Sequence, residues 1–270
     1  MIGLILGETQ LGSLIIKKLK FLKKKFIIID ISKKKIFKKN INSYSLSIGQ
    51  IGKAISILKR NRCKNIIFAG RVARPNFSKT KFDFKALYYL PRIIKSSKKG
   101  DASIIKEIVK IFNKEGFKIL RSNFFNQELS VKKGNYTKFK PDKLSKKDFL
   151  KGKSIINDLS KHDIGQGVII HKGFVIAIEG PEGTDVMLNR AHVLLKKLHQ
   201  NNKKEGILLK FPKKNQDLRI DLPTIGLTTI KKCLKIGLKG IAVKGNQNIF
   251  LDKSKCISLA NKNKMFISAI

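Results

Sequence analysis

Acidic side chains are scarce in this sequence, 18 among 270 residues, yet Glu179, Glu182 and Asp185 fall within seven positions. They punctuate the turn Glu179-Gly180-Pro181-Glu182-Gly183-Thr184-Asp185, which leads into a helix expected from about Asp185. Backbone N–H groups at such a helix start can hold an anion. Carboxylates around it can hold Mg2+, a hard cation that takes oxygen ligands and keeps several of its waters. The same acids would equally serve as a cap and as complements to the helix dipole, with no ligand involved. Further along, Asp221 stands in Asp217-Leu218-Arg219-Ile220-Asp221-Leu222-Pro223-Thr224-Ile225-Gly226, ahead of a helix expected over 224–234, so helix capping competes with any chemical role. The glycine-marked turn Asp163-Ile164-Gly165-Gln166-Gly167 and the run Lys210-Phe211-Pro212 complete this region. Acids clustered in a lysine-saturated chain suit metal-assisted phosphoryl chemistry. Lys and Arg would offset the substrate's charge, Mg2+ would bridge phosphate oxygens, and a carboxylate would orient water.

The first half holds weaker signals. Phe68-Ala69-Gly70-Arg71-Val72-Ala73-Arg74-Pro75 ends a strand in glycine and puts two of the eight arginines in the loop beyond it. Ligands of open α/β sheets bind at that edge, and Arg suits phosphate or carboxylate, although a solvated loop would look the same. Gly7 follows a strand and Asp30 ends the next one, as in a dinucleotide-binding unit, but Gly7-Glu8-Thr9-Gln10-Leu11-Gly12 lacks the G-x-G-x-x-G fingerprint. Asp101, after Gly100, is accounted for as the cap of a helix over 102–113. The four histidines form no triad, and no G-x-S-x-G or H-E-x-x-H pattern occurs. Cys63, Cys233 and Cys256 match no zinc or redox spacing and read as reduced thiols of a cytoplasmic protein.

The elements that must position these residues alternate in type. Apolar runs at 2–6, 26–30, 65–69 and 117–120 are strands, and helical spacing marks 11–22, 48–58 and 102–113. This rhythm argues for a parallel sheet covered by helices. The polar, lysine-rich stretch within 126–150 reads as a linker. Beyond it come a helix to about 161, a hairpin of 167–171 and 174–178 turning at Lys172-Gly173, a helix over 185–199, and strands at 206–211, 240–244 and 265–270. The expected fold is α/β, with a Rossmann-like N-terminal domain at 1–125 built on a parallel sheet and a second, mixed α/β domain at 151–270.

No apolar run approaches the roughly 18 residues of a membrane span, and the apolar start of the chain reads as a first strand rather than a signal peptide. The formal net charge is +41, but eight of the 59 basic residues are Arg and the other 51 are Lys, accompanied by abundant Ile and Asn. AT-rich coding, attraction to an anionic membrane surface, and nucleic-acid binding all remain open for this charge; the shortage of Arg disfavours the last.

Six motifs, in order, resemble the LpxI family of UDP-2,3-diacylglucosamine pyrophosphatases of lipid A biosynthesis: Phe68-Ala69-Gly70-x-Val72-x-Arg74-Pro75, Lys99-Gly100-Asp101, Asp163-Ile164-Gly165-Gln166-Gly167, Glu182-Gly183-Thr184-Asp185, Lys210-x-Pro212 and Asp221-Leu222-Pro223-Thr224-Ile225-Gly226. The resemblance implies a Rossmann-like domain followed by a domain special to the family. It also implies Mg2+-dependent hydrolysis of the substrate's diphosphate to UMP and 2,3-diacylglucosamine 1-phosphate, with the lipid product between the domains. The family's essential aspartate falls on Asp221, which is expected to hold metal or position water, with Glu182 and Asp185 as further metal ligands. Arg74, Gly100, Asp101, Gln166, Gly183, Thr184, Lys210 and Thr224 are expected on the substrate. The glycine-rich turn usual after the family's first strand is replaced here by Gly7-Glu8-Thr9-Gln10. A diacylated substrate also implies peripheral contact with the inner membrane and an apolar groove that Phe82, Phe84, Leu87, Tyr88 and Tyr89 would line unless they are ordinary core; no nucleic-acid partner is expected, since the sequence shows no Arg-rich or aromatic stripe. A homo-oligomer is left open.

Overall fold

The computed structural model describes every residue except 73–75, 199–203 and 215. The chain divides into two units, Met1–Gln127 with Asp217–Asp221, and Glu128–Gln216 with Leu222–Ile270.

The first unit runs β1 (Ile2–Leu6), α1 (Gln10–Phe21), β2 (Phe26–Asp30), β3 (Ser43–Ser45), α2 (Ile51–Arg60), β4 (Asn65–Ala69), α3 (Phe84–Ser97), α4 (Asp101–Lys114) and β5 (Lys118–Leu120). Its five strands are all parallel, in the order β3-β2-β1-β4-β5, the doubly wound arrangement expected of a Rossmann-like domain. β1 lies at the centre, with Leu4 opposite Ile28 on one side and Ile67 on the other. Every residue of β1 is buried, because helices cover both faces of a parallel sheet. Ile5, Ile29, Ile55, Leu58, Ile66, Phe68 and Phe112 share one core.

One local expectation differs from the structure here, and one helix was not anticipated. Asp101 is the first helical residue of α4, and the cap is Gly100, whose φ of 128° only glycine adopts readily. The acid then sits in the first turn, where it still complements the helix dipole. The helix α3 was not among the elements expected from the sequence, because Pro91 lies inside it. It forms because Asp83 caps it, accepting from the Ala86 N–H at 2.8 Å.

The second unit runs β6 (Gly134–Asn135), α5 (Lys143–Leu159), β7 (Gly167–His171), β8 (Phe174–Ile178), α6 (Thr184–Leu198), β9 (Ile207–Lys210), β10 (Thr224–Ile225), α7 (Leu227–Lys235), β11 (Gly240–Val243), β12 (Ile249–Phe250), α8 (Lys253–Lys262) and β13 (Phe266–Ala269). Six strands form a mixed sheet in the order β6-β13-β11-β9-β7-β8, and β10 pairs with β12 apart from it. β9, β11 and β13 are parallel, and β7 runs against both β8 and β9. Lys172 and Gly173 turn the hairpin, both with positive φ (49° and 82°), as a two-residue type I′ loop requires.

Alternation along these strands feeds two cores. Ile169, Leu208, Ile241 and Ile267 pack with Leu188 and Leu195 of α6, Cys233 of α7 and Ala260 of α8. Val168, Ile170, Ile207, Leu209 and Phe266 pack on the other side with Phe149 and Ile156 of α5. Within the stretch expected to be a linker, Val131 is fully buried in the first of these cores, and Asn135 pairs with Ser268. The helix expected over 224–234 is replaced by β10 and a helix starting at Leu227 with Gly226 as its cap. The cap of α7 is thus Gly226, with no side-chain cap hydrogen bond. Among the described residues no helix is long and apolar enough to cross a membrane.

Candidate functional site

The mixed sheet of the second unit has one edge where β8, β9 and β11 end and β7 begins, the edge at which α/β sheets bind ligands. Three separate sequence motifs meet there. Lys210 closes β9 opposite Gly167, the first residue of β7. Gln166, just before it, accepts the Phe211 N–H through its backbone carbonyl at 2.8 Å. Glu179 follows β8, and its N–H donates to the Gly167 carbonyl at 2.8 Å. Thr184 opens α6.

Their side chains form one connected group. The Thr184 hydroxyl donates to Glu179 Oε2 at 2.9 Å and accepts from Lys210 Nζ, while the ammonium lies 4.0 Å from Glu179 Oε2. Glu179 and Lys210 are each 8% exposed. Two opposite charges this deep are tolerable only because they are paired and bridged by a hydroxyl. Glycine is required around them for space. A Cβ on Gly167 would stand 2.6 Å from Glu179 Oε2, and one on Gly165, where φ is 51°, would stand 2.0 Å from the Glu179 carbonyl oxygen. Gly183 takes φ 82° as the chain turns into α6. A buried cation beside a helix N-terminus can receive a phosphate or another anion.

The other acids of the cluster are held by cations. Glu182 is 2.8 Å from Arg190. Its own backbone N–H, the Arg190 guanidinium and the Gly180 N–H keep its carboxyl below the usual glutamate range, against an opposing push from burial. Asp185 is 3.2 Å from Lys232. Asp163, in the left-handed region at φ 58°, binds the Lys213 ammonium. Asn248 extends the same edge: its amide donates to the Lys210 carbonyl at 2.9 Å and its Oδ1 accepts the Lys244 N–H at 3.0 Å. The next residue, Ile249, pairs with Thr224 and donates its N–H to the Pro223 carbonyl at 2.9 Å. Thr224 is thus fixed beside Asn248, its hydroxyl turned back to the Leu222 carbonyl at 3.0 Å.

Glu179, grouped in the sequence with Glu182 and Asp185 as a carboxylate that can hold Mg2+, is instead engaged by Thr184 and Lys210, and its burial at a strand end is the missed signal. Arg190 and Asn248 left no recognisable trace, because their importance arises from partners 8 and 38 residues away.

Asp221 belongs to the first unit. It ends a tight turn in which the Ile220 and Asp221 N–H groups both donate to the Asp217 carbonyl, at 3.2 and 3.0 Å. The turn is tied down by the Ser122 N–H donating to the Arg219 carbonyl at 2.8 Å, and Ile220 packs on the first unit's core. Arg219 forks onto Asp217 at 2.7 and 3.0 Å and holds that carboxyl below its usual range. Asp221 is half-buried, with Leu222 next in the chain opening the return to the second unit.

In the first unit, Gly7 packs against the loop after β4. Its N–H donates to the Ala69 carbonyl at 2.9 Å, and a Cβ there would stand 2.4 Å from the Arg71 carbonyl oxygen. Glu8 and Arg71 form an antiparallel bridge. Arg74 lies outside the described residues. Asp30 is fully buried, with its carboxylate accepting from the Ser32 N–H (3.0 Å), the Ser32 hydroxyl (2.6 Å) and the Phe37 N–H (2.9 Å). It organises its own loop, which explains an acid at that position without a ribose. All three cysteines are buried and unbridged, and burial raises each thiol's pKa, that of Cys256 to about 11. None has the thiolate character of a nucleophile.

Comparison with known proteins fits this arrangement. The model of the LpxI N-terminal domain matches residues 1–129 and that of the LpxI C-terminal domain matches residues 132–268. The UDP-2,3-diacylglucosamine pyrophosphatase LpxI of Caulobacter vibrioides is 33% identical over 226 residues, covering 83% of this chain and 81% of the relative. This chain belongs to the LpxI family.

Proposed function

We propose that the chain hydrolyses the diphosphate of UDP-2,3-diacylglucosamine, giving UMP and 2,3-diacylglucosamine 1-phosphate. The observation that carries this reading is the meeting of three family motifs in the buried group Glu179–Thr184–Lys210 at the ligand-binding edge of a sheet. In this reading Lys210 and the opening N–H groups of α6 receive a phosphate of the diphosphate. Thr184 fixes the direction of the ammonium, Glu179 balances its charge, and the Gly165-Gln166-Gly167 turn provides room. Asp221 orients the attacking water. One water adds across one P–O–P bond, the bond breaks, and each half leaves as a phosphate monoester.

Mg2+ is the cofactor of this reading. Among the described residues no three His, Cys, Asp or Glu side chains gather as a cage, but Mg2+ is ordinarily held by one or two carboxylates together with substrate phosphates. Asp221, half-buried at the end of its turn, suits that mode. Glu182 and Asp185 would join only by giving up Arg190 and Lys232. Bound there, the ion would neutralise charge on the phosphate oxygens. A diacylated substrate also places the enzyme in peripheral contact with a membrane surface.

Incubation of the purified chain with UDP-2,3-diacylglucosamine and Mg2+, followed by chromatography of the nucleotide, is expected to yield UMP. A folded chain that yields none rules the reading out.

A further inference from the structure

One face of α3 has no work inside the fold. Ala86, Tyr89 and Ile93 turn inward and are buried. Phe84, Leu87, Tyr88 and Pro91, spaced i, i+3, i+4 and i+7 on one stripe, turn outward. Phe84 is 94% exposed, Tyr88 68% and Leu87 49%. Beside the stripe, Leu87, Leu90, Pro91, Ile94, Lys95 and Lys98 line a shallow hollow of about 470 Å3. Exposed apolar stripes of this kind mark interaction surfaces.

The surrounding charge selects the partner. Residues 79–99 hold seven basic side chains, Lys79, Lys81, Lys85, Arg92, Lys95, Lys98 and Lys99, against one acid, Asp83. The Asp83 carboxylate is turned inward onto the N–H groups of Gly52 (3.1 Å), Lys53 (2.9 Å) and Ala86 (2.8 Å). Lys85 and Arg92 are engaged by Glu115 and Glu107 at 2.6 and 2.7 Å. Lys95 and Lys98 remain exposed and continue the apolar stripe along the same helix face. A second copy of this face, carrying the same excess of basic side chains and no outward acid, would be repelled by it. An acidic headgroup layer above an acyl interior complements both halves of the stripe.

We propose that α3 is the element by which this protein docks on an anionic lipid bilayer, with Phe84, Leu87, Tyr88 and Pro91 entering the headgroup–acyl boundary and Lys95 and Lys98 meeting the acidic headgroups. A lipid substrate, as proposed above, would give the docking its purpose. The helix face stands without it, and its test needs neither substrate nor turnover.

The chain has no tryptophan, so Tyr88→Trp creates a sole emitter on the stripe. Phe21→Trp, at a 79% exposed site on α1, is its control. Vesicles of phosphatidylglycerol and phosphatidylethanolamine, carrying lipids brominated on the acyl chain, are added to each. The Tyr88→Trp emission is expected to shift to the blue and be quenched, while the Phe21→Trp emission is not. Phosphatidylcholine vesicles are expected to leave both unchanged. The variant Phe84→Ser/Leu87→Ser/Tyr88→Ser, with an unaltered circular dichroism spectrum, is expected to lose about tenfold or more in vesicle partitioning, since three large side chains leave the boundary. Lys95→Glu/Lys98→Glu is expected to weaken it comparably at low salt. A protein that sediments with the vesicles while Tyr88→Trp stays unquenched adsorbs through its general charge, and the proposal falls. It falls equally if the triple-serine variant partitions like the wild type, or if that variant's only change is dissociation of a dimer.

Discussion

Replacing Thr184 by valine removes one oxygen and almost no volume. That oxygen donates to Glu179 Oε2 at 2.9 Å and accepts from Lys210 Nζ, and both partners are 8% exposed. Without it the carboxylate and ammonium face each other across 4.0 Å, beyond hydrogen-bond reach. Each lost hydrogen bond to a charged group costs about 1.5–3 kcal/mol, and partial closure of the ion pair recovers some of this. A net loss of about 3 kcal/mol is expected, which lowers the melting temperature by about 10 °C. If Lys210 serves only to hold the sheet edge together, the damage ends there. If its ammonium receives the substrate's phosphate, kcat/KM at a temperature well below melting should also fall by about 10²-fold, the scale of losing a preorganised charge-stabilising donor. Thr184→Ser keeps the oxygen and should remain close to wild type in both respects. Differential scanning calorimetry and steady-state UMP release on the three proteins separate these cases. Equal turnover in Thr184→Val and Thr184→Ser would refute the assignment of Lys210 to the substrate.

Gly167→Ala brings a Cβ to 2.6 Å from the movable end of Glu179, so the fold should survive while turnover falls; Gly165→Ala meets a backbone carbonyl at 2.0 Å in a left-handed conformation and should fail to give a cooperative melt. Asp30→Asn weakens a carboxylate that accepts three hydrogen bonds and should destabilise the chain by about 1–3 kcal/mol in urea titration, with no NAD(P) binding by fluorescence either before or after the change. Burial works to raise the Glu115 carboxyl, but Lys59 at 2.8 Å and Lys85 at 2.6 Å outweigh it and bring it from 4.5 to about 2. A depressed folded value gives stability that is fully present above the unfolded value and lost as pH falls through the folded one. Wild-type stability should therefore decline between pH 4.5 and about 2 more steeply than that of Glu115→Gln, as followed by urea midpoints across that range.

The strands β1, β2 and β4 could be read residue for residue, because a parallel sheet covered on both faces demands unbroken apolar runs. The β7–β8 hairpin was equally legible, since its register follows from a two-residue turn at Lys172-Gly173. α3 was not: Pro91 inside the segment argues against a continuous helix, although the flanking apolar residues keep a helical period. β10 is two residues long, too short for any period, so its Thr-Ile pair merged with the helix that follows. At the candidate site, the motif letters marked Thr184, Lys210 and Gln166. The bond that joins Thr184 to Lys210 spans 26 residues, and no local pattern records it. Asp30 shows the opposite failure, an acid at a suggestive spacing whose oxygens are all engaged by its own loop.

The central claim is that this chain cleaves a diphosphate with Asp221 as the decisive carboxylate. Its most direct test is 31P nuclear magnetic resonance of UDP-2,3-diacylglucosamine with Mg2+ and either the wild type or Asp221→Asn, an exchange that keeps the side chain's shape. The wild type should convert the two coupled diphosphate signals into two phosphate monoester signals. Asp221→Asn, with an intact melting curve, should leave the diphosphate in place over the same period. Monoester signals growing at the wild-type rate in Asp221→Asn would contradict the account.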